Sequence, residues 1–265
     1  MSRFRFSRRH LTIPYILFLL FFVVAPMALI IGYAFKGENG NIGIDNFVAF
    51  FQSKSNLDTF YISVIISLAN TFLCLLIGYP IAYILSNKKF NKNTVIILLF
   101  IMPMWINFVL RTGATRELLY WIGLDGGNHP IVATMFGMVY NYLPFAILPL
   151  YTTMLKMDRS QMEAASDLGA RPFQVFYKVV LPMTIPGIVS AFTMVFMPTM
   201  SSYVIADVMS ENQLMIIGNL IQLNFDQGLW GIGSAIALIM LIIIGISMFL
   251  TRNVEKEENA RGGLW

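Results

Sequence analysis

Between two long apolar segments lies Asp158–Pro182, DRSQMEAASDLGARPFQVFYKVVLP, the longest run in which polar and apolar residues mix. Its residue types suit docking, not bond-making. Asp158 with Gln161, or Ser160 with Glu163, can cap a helix start, because a short side-chain oxygen accepts from the free N–H groups there. Met162, Ala165 and Leu168 recur at helical spacing and give a mostly small apolar face that another surface can approach closely. Gly169 suits the left-handed position that ends a short helix, and Pro172 the first turn of a second one. On that second helix Phe173, Phe176, Tyr177 and Val180 form a broader stripe suited to packing on a bundle. The plainer alternative is an amphipathic loop lying on lipid.

The rest of the chain decides where this loop is held. Its 265 residues are 57% hydrophobic and only 12% charged, too apolar for a soluble domain of this length. Six apolar segments are long enough to cross a bilayer: Ile13–Phe35, Tyr61–Leu85, Thr94–Thr112, Ile131–Leu155, Met183–Ala206 and Trp230–Leu250. The fold class expected is therefore an all-α membrane protein with six transmembrane helices. Pro26, Gly78-Tyr79-Pro80, Pro103, Pro144, Pro149 and Pro198 fall within the spans. Such breaks are tolerated where neighbours satisfy the freed backbone. Ser63, Ser67 and Thr71 share one helix face, as small residues do in a tight helix contact.

Fourteen Lys and Arg fall in the tail 1–12, the turn after the second span, the loop from Lys156 to Pro182 and the tail 251–265. Four fall on the opposite side: Lys36, Lys54, Arg111 and Arg116. The richer side is expected to be cytoplasmic, with both termini and the Glu163 loop. The basic tail is expected to lie on the anionic inner leaflet, and the tail after Leu250 to be solvated and mobile.

Glu163-Ala164-Ala165, then Gly169, then Leu181-Pro182 resembles the EAA loop of ABC-importer permeases, with Val179 where that family has Ile. The resemblance implies the type I importer fold and an ATPase-coupling role for Glu163, Ala164, Ala165, Gly169, Leu181 and Pro182. Over about residues 11 to 250 the chain also resembles the first permease subunits of spermidine/putrescine importers. The matching stretches are Gly78-Tyr79-Pro80, Pro103-Met104-Trp105-Ile106-Asn107, Tyr142-Leu143-Pro144-Phe145, Asp207-Val208-Met209 and Gly218-Asn219. Ser210-Glu211 stands where those subunits have Gly-Gly. The implied partners are a second, homologous permease subunit, two cytoplasmic ATPase subunits and an extracytoplasmic polyamine-binding protein, in a bacterial cytoplasmic membrane.

A polycation needs carboxylates, carbonyls and aromatic faces spaced along its path. Trp105, Asn107, Tyr203 and Asp207 are the substrate-path candidates on that ground. For Trp105 and Tyr203 the competing reading is a belt residue at the interface, and for Asn107 a bond across helices. Arg111 would repel a cation, so it is assigned instead to the delivery protein or a lipid headgroup.

Other chemistry has no residues to carry it. There is no P-loop, and Cys74, His10 and His129 form no metal-ligand set, so neither cofactor nor metal is expected. Basic residues spread over several loops do not make a nucleic-acid surface. No Asp, Glu, Lys or His lies near the middle of a span, so transport energy must enter from outside the membrane domain. The alternatives are a permease for another small solute and, further off, an integral-membrane enzyme.

The orientation is directly testable. With Cys74 removed, Asn212→Cys is expected to react with an impermeant thiol reagent from outside, and Lys88→Cys only after the membrane is opened. The reverse pattern would invert the topology.

Overall fold

A computed structural model describes residues 12–37, 40–87 and 95–262. The basic tail and most of the turn after the second expected span lie outside the described residues. Among the described residues the regular structure is helical, apart from one antiparallel bridge between Lys36 and Ile42. The helices are α1 (Thr12–Leu19), α2 (Ala25–Ala34), α3 (Asp45–Gln52), α4 (Lys54–Leu85), α5 (Val95–Ile101) and α6 (Phe108–Trp121). They continue with α7 (Pro130–Leu155), α8 (Ser160–Asp167), α9 (Pro172–Val175), α10 (Leu181–Met200), α11 (Tyr203–Ser210), α12 (Ile217–Asp226) and α13 (Trp230–Gly262).

Among the described residues five stretches are long and apolar enough to span a bilayer: Pro14–Ala34, Lys54–Leu85, Pro130–Leu155, Pro172–Met200 and Trp230–Phe249. A sixth is broken: Val95–Trp105 and Phe108–Trp121 meet at 98°. The third expected span, Thr94–Thr112, is thus not one helix. The cause is local. Pro103 sits in a 3-10 turn, Ile106 is extended, and Asn107 starts a new helix by accepting from Val109 N–H at 2.9 Å. The fifth span likewise stops at Met200, two residues after Pro198, instead of running on to Ala206. The tail after Leu250, expected as mobile, continues α13 to Gly262.

Two prolines shape their helices in the same way. Proline cannot donate to the carbonyl four residues back, and its ring collides with it. Before Pro26 the chain widens into a π-helical turn, Leu20–Val24, with Ala25 N–H bonded to Leu20 O. Before Pro182 it does the same over Phe176–Val180, with Leu181 N–H bonded to Phe176 O.

The chain divides into two units, residues 1–57 with 220–242 and residues 58–219 with 243–265. In the first, Asn46 closes the end of α2. Its Nδ2 donates to the carbonyls of Ala34 at 3.0 Å and Lys36 at 2.9 Å, which a helix end leaves unpaired. Gly231 makes room, since a Cβ there would lie 2.8 Å from Nδ2. The apolar side chains of Pro14–Ala34 mostly face outward, as suits lipid.

In the second unit α4, α7 and α10 share a core of Cys74, Ala82, Ala146, Ile147, Leu150, Ala191 and Val195. Small residues set its spacing. A Cβ on Gly187 would stand 2.8 Å from the Cβ of Thr153, so α10 lies against α7 at glycine distance. Asn70 Nδ2 donates to Thr199 Oγ1 at 2.8 Å, joining α4 to α10. Ser63, Ser67 and Thr71 are buried on one face of α4, and Ser63 Oγ accepts from Ile217 N–H at 2.7 Å.

Candidate functional site

The loop 157–182 folds as two short helices joined by a turn. Asp158 Oδ1 accepts from Ser160 N–H at 3.0 Å, and that bond holds its carboxyl below the usual range. Leu168 ends α8, and Gly169 follows with φ +83°. Pro172 opens α9, where Gln174 Oε1 accepts from Arg171 N–H at 2.9 Å. Met162 and Ala165 turn partly inward, whereas Glu163 and Ala164 are exposed. Among the described residues Glu163 has no ion-pair partner.

The apolar stripe of the second helix divides differently from its expectation. Val180 is buried against the bundle, as is Val175 outside the stripe, and Phe176 is half-buried, but Phe173 is 77% and Tyr177 62% exposed. With Leu168, 89% exposed, they leave a bare apolar patch around the turn. An apolar patch of this kind on a loop otherwise rich in polar residues suits contact with another protein or with a membrane surface. Leu181 and Pro182 lie beyond it, at the π turn that leads into α10.

The second feature is a cavity of about 350 Å³ where α6, α7 and the start of α11 meet. Phe108, Arg111, Asn141, Tyr142, Ser202 and Tyr203 line it. Arg111 is 8% exposed and points inward. Its Nε and Nη2 donate to Asn141 Oδ1 at 2.9 and 2.6 Å, and its Nη1 to Pro103 O at 2.6 Å. The Tyr140 ring lies 5.6 Å from the guanidinium, close enough for a cation–π contact. Asn141 Nδ2 donates in turn to Gly137 O and Thr112 Oγ1. Tyr142 and Ser202 share a short hydrogen bond. Arg111 is thus committed within its own chain, which corrects its assignment to a delivery protein or a headgroup.

A third feature surrounds Asp207. It accepts from Asn219 Nδ2 and lines a cavity of about 400 Å³ with Arg116, Glu211 and Asn212. Partial burial raises its pKa above the usual carboxylate range, and the Asn219 bond opposes that shift. Glu211 and Asn212, at φ 53° and 62°, both occupy the left-handed region.

A family model described as "Binding-protein-dependent transport system inner membrane component" matches residues 3–258. The chain belongs to that family. The permease is 32% identical over 267 residues to the "Spermidine/putrescine transport system permease protein PotB" of Haemophilus influenzae, covering 92% of each chain. Its fold is that of a bacterial ABC transporter for import of the acidic polysaccharide alginate (TM-score 0.66, 20% identity, 92% of this chain and 94% of that one). The same holds against an alginate transporter in complex with an alginate-bound periplasmic protein (TM-score 0.65, 20% identity, 94% of both). These neighbours have the type I importer fold, and the permease is a transport component, not an enzyme.

The path candidates do not come together in the permease. Tyr203 lines the Arg111 cavity, but Asp207 lines the other one. Trp105 is 82% exposed, the setting of an interfacial belt residue, and lines neither cavity. Asn107 caps its own helix and, among the described residues, its side chain makes no bond across helices. Residues the sequence reading passed over, Asn141 and Ser202, line the first cavity, beside Tyr142 of the family-matching Tyr142-Leu143-Pro144-Phe145 stretch.

The Gly169 turn gives a prediction with separable causes. A Cβ there meets nothing within 4 Å, so only backbone conformation opposes a side chain. Gly169→Asn is expected to keep the loop, because Asn tolerates the left-handed region. Gly169→Val is expected to cost it about 1–2 kcal/mol or more. Limited proteolysis within 158–182 measures this, and equal cleavage of both variants would contradict it.

Proposed function

We propose that this chain is one permease subunit of an ATP-driven polyamine importer, forming half of the translocation path. The observation that carries the reading is 32% identity, across nearly the whole chain, to a relative named for spermidine and putrescine transport. In this reading the Glu163 loop faces the cytoplasm. There Leu168, Phe173 and Tyr177 with Ala164 and Ala165 form the seat for an ATPase subunit, and Glu163 pairs with one of its basic residues. Gly169 shapes the turn, and Leu181-Pro182 joins the seat to α10. The assembly comprises a second, homologous permease chain, two ATPase subunits and an extracytoplasmic polyamine-binding protein. Both termini are cytoplasmic.

The charge of the opposite end supports a cationic solute. Residues 207–229 contain Asp207, Glu211 and Asp226 and no Lys or Arg. A field of that sign concentrates a polycation, most strongly at low salt. Arg116 shares the cavity with Asp207 and Glu211 but is paired with Glu117 at 3.6 Å, so carboxylates outnumber the guanidinium there. In this reading Tyr203 offers a ring to the path, and Trp105 and Asn107 only border it.

The reading is tested with the reconstituted complex. ATP hydrolysis is expected to rise with binding protein loaded with spermidine or putrescine, and not with methionine, maltose or sulfate as the solute. Stimulation by one of the latter alone would replace the polyamine with that solute while leaving the ATP-driven permease intact.

The role of Asp207 has its own signature. Asp207→Asn keeps the size and removes the charge, so polyamine uptake is expected to fall several-fold at low ionic strength and less at high. A carboxylate attracts cations only when ionised, and burial raises this one's pKa. Wild-type uptake is therefore expected to weaken as the pH falls, starting above the range where an ordinary aspartate protonates. The variant should lack that limb. Uptake in Asp207→Asn equal to wild type at every salt and pH would remove Asp207 from the path.

A further inference from the structure

Two contacts tie the coupling loop to α4 and to the chain just past its end. At its start, Arg159 donates from Nη1 to Asn87 Oδ1 at 3.1 Å and from Nη2 to Ser86 O at 3.0 Å, just past the end of α4. At its end, the Phe176 ring stands edge-on to Tyr79 and to Tyr83, one turn apart on α4. The centroid distances are 5.8 and 6.4 Å and the interplanar angles 86° and 90°. Edge-to-face pairs of this kind are attractive and directional.

Tyr79 has a second contact, on the far side of the π turn. Its hydroxyl lies 2.9 Å from Thr184 Oγ1, which is fully buried on α10. Thr184 Oγ1 also lies 3.1 Å from Val180 O and 3.0 Å from Leu181 O, where the turn ends. The Thr184 hydroxyl donates back to those carbonyls, which leaves the Tyr79 hydroxyl to donate to Thr184. One side chain of α4 thus touches the first residue of the widened turn with its ring and the helix beyond it with its hydroxyl.

A π turn interrupts the regular ladder of a helix and is a place where helices bend. A push on α9 could be absorbed there and never reach α10. We propose that Tyr79 is a positioning residue that clamps this turn through Phe176 and Thr184, so that displacement of the coupling loop moves α4 and α10 together. The proposal rests on the reading that the loop seats an ATPase, and it adds how the motion is kept from dissipating.

The test uses the full complex in liposomes with radiolabelled spermidine, or whichever solute the panel selects. Three quantities are read: ATPase subunits retained on purification, hydrolysis stimulated by loaded binding protein, and solute taken up per ATP hydrolysed. Tyr79→Phe removes one hydroxyl and Phe176→Leu one ring. Both are expected to retain the ATPase and hydrolyse ATP, while uptake per ATP falls roughly two- to tenfold, the range one neutral hydrogen bond carries. Thr184→Val should match Tyr79→Phe, Thr184→Ser should restore coupling, and Tyr79→Phe with Thr184→Val should be no worse than either alone. Wild-type uptake per ATP in Tyr79→Phe, or loss of the ATPase from it, overturns the proposal, the latter because the contact would then be structural. Glu163→Ala separates the two ideas. If it keeps full ATPase retention and uptake, the docking reading fails, whatever Tyr79→Phe shows.

Discussion

In hydrocarbon there is no water to take up a carbonyl or N–H that a proline has released, so each break in a span must be satisfied from within the protein. Among the described residues the sharpest break, at Pro103, is closed by a guanidinium, an amide cap and a bond from Ile106 N–H to the Pro103 carbonyl. Arg111 reaches back one helical turn beyond Asn107 to the Pro103 carbonyl and is held by Asn141 of α7. Asn107 caps the N–H groups of the same break. A buried arginine without a carboxylate keeps its full charge, and its neutral cage of carbonyl, amide and tyrosine ring makes that charge tolerable. Arg111, Asn141 and Tyr203 line the cavity beside this 98° bend.

Much of the fold was legible because the bilayer restricts the alternatives. Apolar runs of span length, separated by charged loops, specify helices, and the Gly169 and Pro172 signals specify a turn between two short ones. What was not legible is how a break is repaired. Pro103 announces an interruption, but nothing local in the sequence says that Arg111, eight residues on, turns inward to serve it. A lone arginine at a span's end reads as an interface residue because most of them are. Asn141 was overlooked for the converse reason. A single neutral amide in an apolar run carries no periodic signal, and its purpose appears only when α6 is placed beside α7. Asn107 reads as a possible bond across helices until the bend makes it a cap.

The loop 157–182 shows the same division between local and tertiary information. Its turn follows from residue type. Which side of α9 faces the bundle does not, because aromatic residues at helical spacing suit packing inward or docking outward equally well. The π turn before Pro182 rotates the chain between the two helices, so Val175 and Val180 are buried while Phe173 and Tyr177 remain bare. The proline that ends the motif thus also sets which residues the motif displays.

The rim of the acidic cavity sets stability against electrostatics. Ser210 replaces a glycine of the resembling subunits and is put to use, its hydroxyl accepting from Leu214 N–H at 3.0 Å. Glu211 replaces another and gains no such relief: it sits at φ 53°, where a side chain costs about 1–2 kcal/mol that glycine would not. Glycine returns part of that advantage through the greater freedom of its unfolded chain. Repeated selection for heat tolerance alone would therefore favour glycine at 211 and remove a carboxylate from the mouth of the cavity. At this residue the ease of the backbone and the negative charge at the cavity mouth depend on one position, and glycine there would gain the first and lose the second.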